Sequence, residues 1–178
     1  MRWEPFFAAP LIVVSSASWG NIYFSSEQAQ QALFPGGKFE LVSLALTKDQ
    51  RDALRVRSGV YEPFQENRAW AVAGKGFFII DQVVGKHETI TFAVGLNMDG
   101  SVKQIEIMEY RESYGYEVRN AAWRTQFVGK TIASPVKLNS DIVNITGATL
   151  SCKHVTDGVR RVLAVYDTAL KSTANAQR

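Results

Sequence analysis

The chain has 178 residues, of which 46% are hydrophobic and 21% are charged, and its formal net charge is +3. This composition excludes a disordered chain, and the length favours one compact domain with its own core. The basic residues are spread along the sequence rather than grouped in a block, so no nucleic acid is expected as a partner. The single cysteine, Cys152, excludes an internal disulfide and any metal site made of cysteines alone.

The first twenty residues resemble a secretory signal peptide. Arg2 precedes an apolar run over residues 6–14, and small residues follow at 15–18. The run is shorter than the roughly 20 residues that span a bilayer. We therefore expect a periplasmic or otherwise exported protein, associated with the membrane only if this segment is retained. Glu4 and Pro5 favour the alternative of an extended, partly buried N-terminal arm.

Residues 21–66 are predicted to form an N-terminal helical extension. Capping boxes at residues 25–28 and 47–50 predict the start of two short helices. The first helix should end at the Pro-Gly-Gly sequence of residues 35–37, and the second at Ser58 and Gly59.

Residues 67–171 are predicted to form the main domain, an α+β fold. Strands are predicted at residues 70–73, 76–84, 89–96 and 101–110, joined by turns at 85–86 and 97–100. They form an antiparallel meander, one face of which is expected to be solvated. A short helical piece follows at 121–127, and apolar residues at helical spacing over 155–170 predict an amphipathic helix that packs on the sheet. The whole is an antiparallel sheet of about four to six strands flanked by helices, and residues 172–178 form a flexible tail.

The segment before the final helix is a candidate anion site. A strand-like stretch leads from Asp141 to Gly147 and then directly into a helix start. Gly147 permits a tight turn, and unpaired amides with the helix dipole favour a phosphate. The simpler explanation is that Thr146, Thr149 and Ser151 are ordinary helix-capping residues.

The order of residues in this segment adds a second argument. Thr146-Gly-Ala-Thr149, followed by Leu150 and Ser151, resembles the flavinylation motif of the FMN-binding domain family. That family includes the C subunit of the sodium-pumping NADH:quinone oxidoreductase and the G subunit of the Rnf complex. The resemblance implies that Thr149 carries FMN through a phosphoester bond installed by an FAD:protein FMN transferase.

The resemblance extends upstream, over roughly residues 70–166. A glutamate-and-glycine loop, a tryptophan, a phenylalanine and a Gly-Lys pair follow in the family's order. The resemblance therefore implies cofactor-binding roles for Thr149, Thr146, Gly147, Ala148, Leu150, Ser151, Glu112, Ser113, Tyr114, Gly115, Trp123 and Lys130. Tyr114, Tyr116 and Trp123 are the aromatic candidates for contact with the flavin ring, although aromatic residues at such positions are more often part of a core.

The sequence departs from the family pattern at two positions. Val143 occupies the place of an acidic residue, flanked by Asp141 and Asn144, and Tyr114 replaces a proline. The valine favours the alternative that FMN, or another phosphorylated ligand, binds without a covalent bond.

Three other side chains are weighed as candidates for a chemical role. His87 lies in a predicted hairpin turn beside an acidic residue, where a solvated charge pair is more common than a metal ligand. His154 follows Thr149 by five residues and would act as a cation beside a phosphate only if its pKa were shifted. Cys152 is expected to be a small buried residue rather than a reactive thiol. No nucleophile-elbow pattern supports a hydrolase.

The combined prediction is an exported FMN-binding electron carrier rather than a stand-alone catalyst. The chain has no G-x-G-x-x-G dinucleotide fingerprint after a strand, so it is not expected to take electrons from NADH directly. Separate electron donor and acceptor proteins, membrane-bound or periplasmic, are implied as partners. The alternative is a non-covalent binding module without redox turnover of its own.

Overall fold

The computed structural model of the protein describes residues 21–176. They form a six-stranded antiparallel sheet with helices, which confirms the predicted α+β class. The strands are β1 (Asn21–Ile22), β2 (Phe39–Leu41), β3 (Ala69–Val72), β4 (Gly76–Val84), β5 (Thr89–Asn97) and β6 (Val102–Tyr110). The helices are α1 (Ser26–Leu33), α2 (Lys48–Ser58), α3 (Ala121–Arg124), α4 (Thr149–Val165) and α5 (Lys171–Ala176).

The sheet has the strand order β1-β6-β5-β4-β3-β2. The four strands β3 to β6 are consecutive neighbours, so the predicted meander is confirmed. The two short strands were not predicted. β1 pairs with β6 and β2 pairs with β3, so the segment expected to be a helical extension supplies both edges of the sheet.

Both faces of the sheet carry apolar side chains. Phe77 and Ile79 of β4 lie in the large cluster that contains α4, whereas Phe78 and Ile80 lie in a second cluster with α1. The prediction of one solvated face is therefore wrong in this region. The run of four consecutive apolar residues in β4 is typical of a strand that is covered on both sides.

The two capping boxes form as predicted. The Ser25 side chain accepts a hydrogen bond from the backbone N–H of Gln28, and Thr47 does the same with Gln50. In return, the backbone N–H of each capping residue donates a hydrogen bond to the side-chain Oε1 of the glutamine. α2 ends at Gly59 in a left-handed conformation, as its sequence predicts.

The end of the described chain differs from the prediction. A π-helical turn over Tyr166–Leu170 continues α4 into α5 (171–176), so residues 172–176, the described part of the predicted tail at 172–178, are helical rather than flexible. Ala174 is fully buried in the main core, and this contact gives the segment a reason to stay helical. The predicted signal peptide at 1–20 lies outside the described residues.

Over residues 21–176, no helix combines the length and the apolar character that crossing a bilayer requires.

Candidate functional site

The site is built around the start of α4. The chain turns at Gly147, which has φ +88°, a conformation that favours glycine. α4 then begins at Thr149 with the buried Ala148 as its N-cap, and no side chain caps the helix. The capping explanation for Thr146, Thr149 and Ser151 therefore does not hold, and the first amides of α4 are left without intrahelical partners.

The segment before this turn is not a strand, contrary to the prediction. Residue 142 makes only an isolated bridge with Leu138. The Asp141 carboxylate instead accepts hydrogen bonds from the backbone amides of Val136 and Lys137 and pairs with Lys130 at 2.8 Å. Burial opposes ionisation of Asp141, but these contacts outweigh it and lower the pKa of the carboxyl.

Thr149 presents its hydroxyl at an exposed position of this helix start. The side-chain amide of Asn144 donates a hydrogen bond from Nδ2 to Thr149 Oγ1 at 2.9 Å. Asn144 Oδ1 is buried and has no hydrogen-bond partner. The hydroxyl proton of Thr149 is not used in that bond, so it remains available to another acceptor.

A cleft of about 520 Å³ opens beside Thr149. Three segments that are distant in the sequence line it: the β4–β5 hairpin, the loop after β6, and the start of α4. The lining residues are Lys86, His87, Glu112, Ser113, Tyr114, Gly147, Thr149 and Leu150. The volume lies in the range of small-molecule and cofactor sites.

Glu112 fastens the loop after β6 to the β4–β5 hairpin. Its Oε1 accepts hydrogen bonds from the backbone N–H of His87 at 2.6 Å and of Glu88 at 3.0 Å. Burial raises the pKa of the Glu112 carboxyl, but the amides of Glu88, His87 and Lys86 outweigh this effect and leave the pKa below its usual value. The carboxylate is therefore ionised near neutral pH and holds one wall of the cleft.

Tyr110 fastens the same loop to α4. Its hydroxyl donates to the carbonyl of Tyr114 and lies 2.8 Å from Ser151 Oγ. Because the phenol has one proton, the Ser151 hydroxyl is the donor in the second bond. Burial raises the pKa of Tyr110, which keeps this proton in place. A Cβ at Gly115 would lie 2.7 Å from the Tyr110 hydroxyl, so only glycine fits there.

The structure brings only part of the predicted residue set to the cleft. Six of the twelve predicted residues line it: Glu112, Ser113, Tyr114, Gly147, Thr149 and Leu150. Gly115, Ala148 and Ser151 are buried directly behind the lining, and Thr146 is exposed outside it.

Trp123 and Lys130 support the site from outside the cleft. Trp123 is buried against Phe127 and donates from Nε1 to the carbonyl of Val143 at 2.8 Å. Gln126 Oε1 accepts from the backbone N–H of Val143 at 2.7 Å. Together with the Lys130–Asp141 pair, these contacts position the segment that leads to Thr149.

Three residues of the site were missed by the sequence analysis. Lys86 and His87 lie on an ordinary hairpin turn, and nothing in the sequence relates that turn to residue 149. Asn144 was noticed only as a neighbour of Val143. Asn144 could have been found only from its place in the sequence. It lies five residues before Thr149, and a side chain a few residues before a helix start can reach that helix start.

The other two candidate side chains lie away from the cleft. His154 lines a separate cavity of about 210 Å³ with Val83 and Asp157, rather than the cleft beside Thr149. Cys152 is fully buried, and burial raises the pKa of its thiol, in agreement with its structural interpretation. Among residues 21–176, no cluster of three or more His, Cys, Asp and Glu side chains is suited to a metal ion.

The chemistry of the cleft suits a ligand with both a phosphate and an aromatic ring. The uncapped start of α4 and the Lys86 ammonium favour a phosphate. Tyr114 and Leu150, which are 83% and 44% exposed, offer apolar surface at the same opening. The buried, unpartnered Asn144 Oδ1 is a further polar atom beside Thr149 that lacks a donor.

Comparison with known proteins leads to the same ligand. The sequence model of the FMN-binding domain family matches residues 85–164. No curated protein matches the chain. The matched range contains all three segments that line the cleft, from the β4–β5 hairpin to the start of α4. Residues 85–164 therefore belong to the FMN-binding domain family, and FMN is the cofactor of this protein.

Proposed function

We propose that Thr149 carries FMN covalently, through a phosphoester bond installed by an FAD:protein FMN transferase. The observation that supports this most strongly is the position and the hydrogen bonding of the Thr149 hydroxyl. Its hydroxyl lies at the cleft, is not used to cap α4, and accepts a hydrogen bond from Asn144. A threonine that served only as a helix cap would not be expected in this arrangement.

The proposed attachment is a simple exchange of phosphorus bonds. Thr149 Oγ1 forms a bond to the phosphorus of the FMN half of FAD, the phosphoanhydride bond breaks, and AMP leaves. The threonine proton passes to a base of the transferase. This chain contributes an accessible acceptor, and Lys86 with the first amides of α4 would hold the phosphate.

We further propose that the protein is an electron carrier. FMN supplies reversible electron transfer, and the protein binds and orients it. The exposure of Tyr114 and Leu150 at the mouth of the cleft leaves this region accessible to a second protein. The absence of a dinucleotide fingerprint from the sequence supports separate donor and acceptor proteins, membrane-bound or periplasmic.

Export is proposed from the sequence of the first twenty residues. Fractionation of cells that express the full chain, combined with N-terminal sequencing, tests it. A cytoplasmic protein with an intact N-terminus would refute export without affecting the assignment of FMN.

Covalent attachment is tested by measuring intact mass and peptide mass with and without the co-expressed transferase. We expect a gain of one FMN minus one water on the peptide that contains Thr149. Thr149→Ala should abolish this gain. Thr125→Ala is the matched control, because Thr125 is an exposed threonine that lies outside the motif and does not line the cleft. Thr146→Ala tests the other hydroxyl group of the motif.

The outcomes separate the two candidate functions. An unmodified wild-type protein in the presence of an active transferase, which releases its yellow colour on denaturation, would refute the covalent link and support a non-covalent FMN module. Loss of the modification in Thr146→Ala but not in Thr149→Ala would show that the acceptor has been misassigned. Photometric titration with a graded series of redox mediators then tests the carrier role, since a carrier must be reduced and reoxidised without loss of FMN.

A further inference from the structure

The side-chain amide of Asn144 is bonded at one end only. Asn144 Nδ2 donates to Thr149 Oγ1, while Asn144 Oδ1 is buried without a donor. A buried amide oxygen without a partner costs free energy, so its presence beside an acceptor hydroxyl requires an explanation. If the amide were rotated so that Oδ1 faced Thr149, the hydrogen bond between the two side chains would still form. The Thr149 hydroxyl would then donate to Oδ1 instead of accepting from Nδ2.

Once Oγ1 is esterified, only the orientation with Nδ2 facing Oγ1 allows a hydrogen bond. The ester oxygen has no proton, so it can accept a hydrogen bond but cannot donate one. An asparagine serves both states: either end of its amide can bond with the hydroxyl, and its NH₂ can donate to the ester. An ionised aspartate at the same place serves only the first state, since it has no proton to donate.

The position of the neighbouring residue supports a distinct role for Asn144. Val143, which replaces the acidic residue of the family pattern, has a side chain that is 69% exposed. Its backbone N–H and carbonyl are both held, by Gln126 and Trp123 respectively. Within the described part of the chain, the side chain bonded to Thr149 Oγ1 therefore comes from residue 144 and not from residue 143.

We propose that Asn144 is a positioning residue for the FMN acceptor, and that its amide stabilises the phosphoester after it has formed. This inference rests on the proposed attachment of FMN to Thr149. Before the reaction, Asn144 orients Oγ1 toward the cleft. In the reaction, the Oγ1–phosphorus bond forms, the phosphoanhydride of FAD breaks with release of AMP, and the hydroxyl proton passes to a base of the transferase. Afterwards Asn144 Nδ2 donates to the ester oxygen, in the amide orientation that the unmodified protein already has.

The experiment compares the full chain with two variants at this position, Asn144→Ala and Asn144→Asp, and with Asn175→Asp as a control for charge. Asn175 is exposed in α5, far along the chain from the motif. Purified protein, transferase and FAD are mixed, and intact mass gives the initial rate of modification. The thermal midpoint Tm is then measured for each protein before and after modification.

The proposal predicts different results for the two variants. Asn144→Ala should slow modification about three- to tenfold, the effect of one hydrogen bond on a rate. Asn144→Asp should be modified faster than the alanine variant, because the carboxylate still accepts from the hydroxyl. Its change in Tm on modification should nevertheless be less favourable than that of the wild type, since the carboxylate faces an ester oxygen and a phosphate.

Three outcomes would overturn the proposal. Equal rates for the wild type and Asn144→Ala would show that Asn144 does not position the acceptor. Equal changes in Tm on modification for the wild type, Asn144→Asp and Asn175→Asp would show that the amide does not stabilise the ester. Failure of the wild type itself to gain mass on Thr149 would refute the proposed function, and this inference with it. A purely structural role would lower the Tm of an unmodified variant without changing the Tm difference on modification.

Discussion

At the scale of single residues, the Glu112 carboxylate holds one wall of the cleft by accepting backbone N–H groups of the β4–β5 hairpin. Its folded-state pKa lies below the ordinary value of 4.5. The stability it contributes is therefore present above that pH and is lost as the pH falls through the folded-state pKa.

Glu112→Gln should remove this pH dependence. Above pH 5 we expect the variant to lose about 1 kcal/mol of unfolding free energy, a figure that allows for solvent screening of a partly exposed group. The difference between the two proteins should shrink as the pH falls below the ordinary value of 4.5 for the carboxyl. Urea unfolding of both proteins at several pH values measures it. A constant difference across the whole range would show that the ionised carboxylate is not what holds the loop.

Tyr110 makes the second attachment of the same loop. Tyr110→Phe removes the donor to the Tyr114 carbonyl and leaves the buried Ser151 hydroxyl without its partner. We expect a loss of about 1–3 kcal/mol and weaker binding of free FMN, because the loop that lines the cleft is released from α4. Flavin fluorescence titration and thermal unfolding measure the two effects. Tyr116→Phe serves as the control, because Tyr116 is 57% exposed and does not line the cleft beside Thr149. Unchanged FMN affinity in Tyr110→Phe would separate the loop from ligand binding.

At the scale of secondary structure, α4 approaches the sheet closely at Gly158. A Cβ there would lie 2.5 Å from Phe92 Cζ and 2.9 Å from Val83 Cγ1. Phe92 is fully buried, so its ring could move away only by displacing other side chains of the core. The close approach determines how near the sheet α4 runs, and therefore where its first residue, Thr149, is placed.

Gly158→Ala tests this contact. Alanine is favoured over glycine in a helix by about 1 kcal/mol, but overpacking a core costs about 1–3 kcal/mol. The steric effect should prevail, and the midpoint of denaturant unfolding should fall. Val56→Ala on the exposed face of α2 is the control and should change little, since Val56 is 86% exposed. A variant at Gly158 that is more stable than the wild type would show that α4 can move away from the sheet without cost.

At the scale of the whole molecule, a buried ion pair connects α4 to the centre of the sheet. Arg161 donates to both carboxylate oxygens of Asp81 in β4, at 2.9 and 2.7 Å, and both side chains are 2% exposed. The guanidinium also donates to the carbonyls of Glu62 and Gln82, so it joins the segment after α2 to the same core. These bonds satisfy a charge that burial would otherwise make costly.

Removal of one partner should be far more harmful than removal of both. Arg161→Met leaves the Asp81 carboxylate buried and unpaired, and we expect a loss of about 3–5 kcal/mol. The double variant Arg161→Met/Asp81→Leu should recover much of that stability. Lys48→Met, which breaks an exposed pair with Asp52, is the control and should have little effect. Thermal unfolding of the wild type, Arg161→Met, Asp81→Leu and the double variant measures the coupling free energy of the pair. If the double variant were no more stable than Arg161→Met alone, the loss would come from the other hydrogen bonds of Arg161, to the carbonyls of Glu62 and Gln82, rather than from the unpaired charge of Asp81.

Local patterns in the sequence predicted the elements that depend on neighbouring residues. The two capping boxes, the bounds of β4, the meander and α4 follow from residue spacing within one segment. β1 and β2 were missed because two or three residues carry no detectable period, and they are strands only because they pair with β6 and β3. The helical end of the chain was missed because its sequence is small and polar, while burial of Ala174 depends on the main core.

For the site, the sequence by itself pointed to the FMN-binding motif, the glycine turn at Gly147 and the proposed acceptor Thr149, because these are properties of one short segment at a helix start. Only the tertiary structure decided which other residues face that threonine. Lys86, His87 and the loop of Glu112 reach it because β4, β5 and β6 are adjacent in the sheet and α4 crosses one face of it. Trp123 and Lys130, which belong to the same sequence pattern, lie behind the cleft because their partners are Val143 and Asp141. Spacing along the chain records local backbone preferences, whereas the lining of a cleft is determined by the packing of segments that are distant in sequence.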